Sequence, residues 1–520
     1  MSVTFATSVF SPISTFNLQD VEGFPYTAWM EQQIFYQEME DWWKGVPLSA
    51  VIVDTKTGKT IEKFPIKINP IKGTCHKHAA TVMGQGVDSI RFGGLPFQLL
   101  PDLKKNEKKK GEVITDAFKI LFKDNAFGAA FLTNCINSQY LGGSVIAAKW
   151  LPQDTRIEIS TPSPKEFIGI PDGTNYWRLR EAWIVKEISM SDAIAYGYVR
   201  TPYEDEKSKY YYIEHWAKKT YKIMINGKVI TFPDSTIKQE GENPFGVVPM
   251  VYIPHIRTNG FIGDSIITET IKGVIRELNL RMADIGDAVS DDSHGYVAVR
   301  NIRGNIKPIT VGDNRPVLDL GGGTGIGNEA QPDMFSIMTK SASETMNKFA
   351  EELYKIYRRE ANHPAVADGE DEGSQRSSLT LAVRMAPLVA EADFERLYFT
   401  QGLMEMARFL LIMMADKKLY NITADMIETN FIIQWQPMLP RDREALTTEA
   451  AVRSKNKLGS NEHIMGLFGD IQDVEEEMDK IKNEKDILEP VKPLGANPQN
   501  TNGTSVKAGD KTNVSKSDTK

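Results

Sequence analysis

Asp368, Glu370, Asp371 and Glu372 form the densest carboxylate cluster in a stretch whose glycines and proline mark it as a loop. Carboxylates this close could hold two Mg²⁺ ions for phosphoryl chemistry. Metal-site carboxylates, however, are normally spread over rigid elements, and these crowd one loop, so a solvated acidic loop is the plainer expectation. Cys75-His76-Lys77-His78 offers three soft or borderline ligands, with no second cluster in register and a spacing that matches no structural zinc pattern. It reads as solvated loop histidines. Gly58-Lys59-Thr60 resembles the end of a phosphate-binding loop, but Val53 stands where that motif needs its first glycine. Gly321–Gly327 is glycine-rich without a full G-x-G-x-x-G or a surrounding βαβ unit, and no G-x-S-x-G elbow occurs. The run Lys104–Lys110 could touch phosphate, but a basic run is ordinarily a solvated loop. No single motif therefore carries catalysis, and neither a cofactor nor a metal is expected.

The elements that must position these residues change character along the chain. Tyr26, Trp29, Phe35, Tyr36, Trp42 and Trp43 recur at helical spacings and predict an amphipathic helix that packs on something. Residues 50–66 alternate around Thr57-Gly58 and read as a hairpin. A helix is expected around 113–125. From about 143 to 255 the pattern is mostly β, with Asn226-Gly227 as a two-residue hairpin turn. Strands are expected at Arg156–Ile159, Arg180–Val185, Tyr210–Trp216 and Val247–Ile253.

Beyond 264 the period becomes 3.6. Ile267, Ile271, Val274, Ile275, Leu278, Met282, Ile285 and Val289 line one helix, with Asp264 or Ser265 as its N-cap. Tyr296–Arg300 and Asn305–Thr310 look like strands of a small insert. A second long helix is expected over Asp333–Glu360, with a stripe of Phe335, Met338, Ala342, Met346, Phe349, Leu353 and Ile356. A third, about Ser377–Asp416, contains Pro387, which should kink it by removing an N–H and crowding the preceding turn. A short strand at Phe431–Gln436 precedes two or three helices between 441 and 485. The tail beyond 488 is polar and reads as disordered.

Composition bounds the function. Over 520 residues, hydrophobic residues are 41% and charged residues 25%, which fits a multi-domain globular protein and excludes collagen-like or wholly disordered chains. Sixty-one basic against 69 acidic side chains leave a net charge of −8, so general electrostatic wrapping of DNA is not expected. Cys75 and Cys135 are too few for a disulfide framework and suggest a reducing compartment. The N-terminus lacks a basic n-region and does not read as a signal peptide. No apolar run is long enough to span a membrane.

The order of elements is the specific feature: a β-rich region, a long helix, a small β insert, a returning long helix, a polar loop and a kinked helix. Each long helix is apolar over more surface than one neighbour covers, which suggests association with copies of itself in a ring. Three stretches then carry a resemblance. Asn243-Pro244-Phe245-Gly246-Val247-Val248-Pro249 is followed by Gly263-Asp264-Ser265-Ile266 and a helix. Ser377-Ser378-Leu379-Thr380-Leu381-Ala382 opens another. Gln436-Pro437-Met438-Leu439-Pro440 leads through Gly459-Ser460 to Glu475-Glu476-Glu477. In this order they resemble the portal, or head-to-tail connector, proteins of tailed double-stranded DNA phages.

The resemblance implies an α+β, portal-like fold. Residues 1–262 would be an N-terminal helical segment and β-rich wing, and 263–291 the first stem helix. Residues 292–332 would be the clip, 333–360 the second stem helix and 361–376 the tunnel loop. Residues 377–440 would return to the wing, 441–487 would be the crown and 488–520 the tail. It implies a non-enzymatic virion component at one capsid vertex, a homo-oligomeric ring of twelve subunits passing double-stranded DNA. Terminase, head-completion and tail adaptors, and the major capsid and scaffold proteins would be its partners. In that frame Asp368, Glu370, Asp371 and Glu372 repel phosphate in the channel, with Gln375 and Arg376 as weak polar contacts. Arg300, Arg303 and Lys307 give the clip a positive partner-facing surface, and Pro387 is a hinge. The rival readings are a metal-dependent nucleic-acid enzyme using the acidic loop, and a capsid or scaffold protein that binds no DNA.

Overall fold

A computed structural model describes residues 16–48, 51–53, 60–62, 67–84, 95–103, 107–152, 154–199, 209–231, 239–257, 260–293, 296–300, 317–319, 333–337, 342–370, 378–439, 443–458, 460–461, 464–465 and 477–482. In chain order these form α1 (Tyr26–Lys44), β1 (Val51–Val53), β2 (Thr60–Glu62), α2 (Ile71–Met83), β3 (Phe97–Asp102), α3 (Lys108–Asp124) and α4 (Phe127–Leu141). Then follow β4 (Gly143–Leu151), β5 (Arg156–Ser160), β6 (Phe167–Asp172), β7 (Asn175–Ile188), α5 (Met190–Ala195), β8 (Tyr210–Ala217), β9 (Thr220–Ile225), β10 (Lys228–Val229), β11 (Glu240–Glu242) and β12 (Met250–Pro254). The remainder is α6 (Glu269–Ser293), β13 (Tyr296–Arg300), β14 (Val317–Asp319), β15 (Asp333–Ile337), α7 (Ala342–Glu360), α8 (Ser378–Asp416), β16 (Asn430–Trp435) and α9 (Arg443–Lys455). Mixed helix and sheet make this an α+β protein. It divides into two compact units, 1–442 and 443–520.

The β-rich stretch forms two sheets. One runs β10-β9-β8-β7-β6 with β11 on β9, and the other β12-β4-β5. Asn226 and Gly227 both take positive φ, +48° and +73°, which suits the two-residue turn of the β9–β10 hairpin. The Asn243-Pro244-Phe245 stretch is a side-chain-locked turn: Asn243 Nδ2 donates to the Ala217 and Val247 carbonyls at 2.8 Å, and its Oδ1 accepts from Phe245 N. The main core lies around β4, β12, α4 and the C-terminal half of α8. Phe97, Phe118, Phe127, Phe131, Ile253, Phe399, Leu403 and Leu410 are all buried there. Each fully buried side chain of this size contributes about 2–3 kcal/mol of transfer free energy. A second cluster joins α1, α2, α6 and the end of α7 through Tyr36, Trp42, Cys75, Ile271, Ile275 and Tyr357.

Helices α6 and α7 are antiparallel. Ile271 and Ile275 share a cluster with Tyr357, whereas Leu278 and Ile285 share one with Ala350 and Leu353. At about 1.5 Å per residue α6 is about 37 Å long and α7 about 28 Å. Between them, β13 pairs with β14 in parallel and with β15 antiparallel.

Several expectations need correction. α3 begins at Lys108, so Lys108–Lys110 are helical, and Lys110 pairs with Asp425 at 2.5 Å. α6 starts after Thr268, whose hydroxyl accepts from Ile271 N at 3.3 Å and caps it. Ser265 instead donates to the Tyr140 carbonyl at 2.8 Å, and Asp264 N donates to the Ile256 carbonyl. Gly263 is fixed by closeness: a Cβ there would lie 2.3 Å from the Gly142 carbonyl oxygen. Asp333–Ile337 is a strand, because β13 captures it in register Tyr296↔Ile337 to Arg300↔Asp333. Cross-strand pairing overrides the helical stripe there, and Phe335 belongs to the sheet. Asn305–Thr310 and Gly321–Gly327 lie outside the described residues. α8 runs for 39 residues through Pro387.

Candidate functional site

The short segment after α7 holds the first two residues of the acidic cluster. Ala361 and His363 are buried, Ala365–Asp368 form a 3-10 turn, and Gly369 closes it with a φ of +81°. Asp368 and Glu370 are not free acids. Arg358, on the last turn of α7, donates from Nη1 and Nη2 to the two Glu370 oxygens at 2.8 and 2.6 Å, a two-pronged pair. The same Nη2 donates to Asp368 Oδ2 at 3.0 Å. Lys77 of α2 pairs with Asp368 Oδ1, and His363 Nε2 donates to the same oxygen at 2.9 Å. The Arg358 guanidinium also lies 4.4 Å from the Tyr354 ring centre.

This network ties one segment to three helices. Lys77 anchors it to α2, Arg358 to α7, and Asn362 Nδ2 donates to Glu391 Oε2 of α8 at 3.3 Å. Beside it the Thr74 and Tyr357 hydroxyls lie 2.7 Å apart, bracing α2 on α7. The electrostatics follow from the partners. Burial opposes ionisation of Asp368, but the hydrogen bonds from Lys77 and His363 outweigh it and hold the carboxyl at about 2. The Arg358 hydrogen bond lowers Glu370, and Glu370 in turn raises Arg358. Burial lowers His363 despite the adjacent Asp368, so the ring stays neutral and serves as a donor.

The histidine reading is corrected here. Cys75 and His78 are buried on α2, not solvated in a loop, and the His78 ring stacks 6.3 Å from His363. Burial pushes His78 down to about 3, and the nearby His255 and His363 push the same way. Among the described residues, no group of three or more His, Cys, Asp or Glu side chains could hold a metal ion.

The expected site residues thus separate. Asp368 and Glu370 come together with Lys77, Arg358 and His363, three residues that the sequence did not single out. Lys77 lies 291 residues from Asp368, beyond any local pattern. Arg358 is nearer, twelve residues before Glu370, at the end of a helix where cations are favoured. Asp368 and Glu370 are therefore paired rather than free acids, although Glu370 stays more than half exposed. Asp371, Glu372, Gln375 and Arg376 lie outside the described residues. Arg300 closes β13 opposite Asp333, whereas Arg303 and Lys307 lie outside the described residues. Pro387 stands inside α8, where it removes one i→i−4 hydrogen bond.

On α6 and α7 the large apolar residues Leu280, Met282, Phe349 and Ile356 remain exposed, at 37–46%. No helix among the described residues is long and apolar enough to cross a membrane.

Residues 146–488 match the family model described as phage portal protein, SPP1 Gp6-like. The match covers nearly all of the two sheets, the α6–α7 pair with its small sheet, the segment after α7 with Arg358, and all of α8, whereas Lys77 precedes it. No curated protein matches the chain.

Proposed function

The chain belongs to the SPP1 Gp6-like phage portal protein family, and from that premise we propose that it forms a ring at one capsid vertex through which double-stranded DNA is packaged and later ejected. The carrying observation is the family match across 146–488, which spans two-thirds of the chain and contains the paired helices with a small sheet between their ends. The exposed Leu280, Met282, Phe349 and Ile356 support association: a single chain leaves them in water, and neighbouring copies in a closed ring would cover them. Twelve copies are typical of the family. The protein is a structural virion component on this reading. Terminase supplies the work of packaging, docks on the segment between α6 and α7, and is later replaced by head-completion and tail adaptors. The major capsid and scaffold proteins surround the ring during assembly.

The acidic cluster then divides its labour. Asp368 and Glu370 hold the segment after α7 in place. Asp371 and Glu372 face the DNA, where like charge prevents the long-lived contacts that Lys or Arg would make with phosphate. Gln375 and Arg376 add weak polar contacts. Arg300, Arg303 and Lys307 present positive charge to an acidic partner surface or the DNA end, and Pro387 gives α8 its bending point. The test is to change Asp371 and Glu372 to Ser while keeping Asp368 and Glu370. Rings should still assemble, and DNA packaging or retention should change. Loss of assembly, or unchanged packaging and retention, would contradict the channel role.

A further inference from the structure

The buried face of α8 carries a carboxyl that the network above does not use. Glu395 is 1% exposed and lies on the stripe of Leu388, Ala392, Phe399 and Leu403. The helix sits tightly here: a Cβ on Gly402 would meet Ile253 Cγ1 of β12 at 2.4 Å. Gln139 of α4 donates from Nε2 to Glu395 Oε2 at 2.5 Å, and His255 Nε2, just beyond β12, stands 4.0 Å from the same oxygen. His255 Nδ1 lies 3.0 Å from the Asp264 carbonyl, which can only accept, so Nδ1 carries the proton and Nε2 is a bare acceptor.

Donors and acceptors around this carboxyl do not balance if it is ionised. Glu395 Oε1, Gln139 Oε1 and His255 Nε2 are all buried and make no hydrogen bond. With a carboxylate, all three are acceptors. The Ser138 hydroxyl of α4, itself buried and without a hydrogen-bond partner, is one nearby donor, fewer than these acceptors need. Among the described residues, no cation makes up the difference. Arg396 sends its N–H groups to the Val82 and Gln436 carbonyls and stacks 4.9 Å over Trp435. Cys75 of α2 and Cys135 of α4 lie within electrostatic range of the carboxyl and are thiols that burial keeps protonated. Glu391, one turn earlier on α8, is a second acid. Among the described residues, the one basic side chain paired with Glu395 is His255, which burial keeps neutral by lowering it to about 4. An uncompensated buried carboxylate is strongly disfavoured, whereas its acid form needs only ordinary hydrogen bonds.

We propose that Glu395 is a protonated carboxylic acid at neutral pH, whose O–H closes a two-bond pair with the Gln139 side-chain amide and pins α8 to α4. Gln139 Nε2 donates to the acid's carbonyl oxygen, and the acid's hydroxyl donates back to Gln139 Oε1. One added proton thereby converts two orphaned acceptors into a bond. Burial, reinforced by Glu391 and opposed by the Gln139 hydrogen bond, the nearby Ser138 hydroxyl and Arg396, raises the carboxyl to about 8. Alkaline solution therefore removes the pin and leaves an unpaired charge under α8.

Infrared spectroscopy of the full-length protein tests this directly. The carbonyl stretch of a protonated carboxylic acid should be present at pH 7, fade towards pH 9 and be missing from Glu395→Gln, which keeps an amide partner for Gln139. In Gln139→Leu the same band should persist and move towards the frequency of an acid without a partner. Proton release gives a second readout: unfolding near pH 6–7 should release about one more proton from the wild type than from Glu395→Gln. A wild-type spectrum without the band at pH 7 overturns the proposal, and so does a band that neither substitution alters. The wild-type pH series holds even if one variant fails to fold, and none of these readouts depends on the channel reading.

Discussion

The acids after α7 and the acid beneath α8 show how partners, not residue type, decide charge. Asp368 and Glu370 meet Lys77 and Arg358 and are stabilised as anions. Glu395 meets an amide and a neutral imidazole, and is raised instead. Both clusters join helices that are far apart in sequence: the first fastens the segment after α7 to α2, and the second fastens α8 to α4. One fastening is ionic and lies near the surface, so salt and acid weaken it. The other is neutral and buried, so alkali weakens it. The two fastenings therefore respond to opposite changes in solution.

The largest effect expected is at the buried end. Glu395→Ala removes a packed side chain and strands the Gln139 amide, which should cost about 3 kcal/mol by denaturant titration. Glu395→Gln should cost less than about 1 kcal/mol, since the pair survives as amide to amide; equal costs for the two variants would erase the contrast between the clusters. Arg358→Met comes next. It strips Glu370 of its partner and Asp368 of one of two cations, and should cost about 1–2 kcal/mol, a figure that shrinks in high salt. A salt-independent loss would mean that packing on Tyr354, not charge, is what matters there.

The smallest effect is the acid response of Asp368. Its folded value, about 2, lies below the ordinary 3.8. Its contribution is therefore fully present above about pH 4 and disappears as pH falls through about 2. Asp368→Asn should flatten the stability profile in that window and leave the alkaline limb untouched. Glu395 works with the opposite sign. Its folded value is raised from 4.5 to about 8, so stability is highest below about pH 4.5, declines as pH rises towards 8 and then levels off.

Much of the architecture was readable from periodicity. The stripe from Ile267 to Val289 announced α6, Asn226-Gly227 placed a hairpin, and the apolar run after Ser377 found α8 within one residue. Failures had physical causes. Asp333–Ile337 carries an apolar pattern compatible with either period, and pairing with β13 decides it. The Cys75–His78 stretch was judged by its ligand types, although Ile71, Thr74, Cys75, His78, Ala79 and Val82 already trace the buried face of a helix. Glu395 carried a similar signal, a carboxyl on an otherwise apolar stripe. Lys77 gave no signal as a partner, because an ion pair across 291 residues exists only after the chain has folded; Arg358, twelve residues before Glu370, showed only as a cation at a helix end.

The most direct test of the whole account is the mass and shape of the purified chain. Negative-stain images combined with light scattering should show rings with a central hole. Twelve copies of the 58.3 kDa chain give about 700 kDa. Replacing Phe349 and Ile356 with Asp should shift that population towards smaller species. A wild-type protein that stays a monomer or dimer at every concentration and salt would contradict the ring-shaped channel.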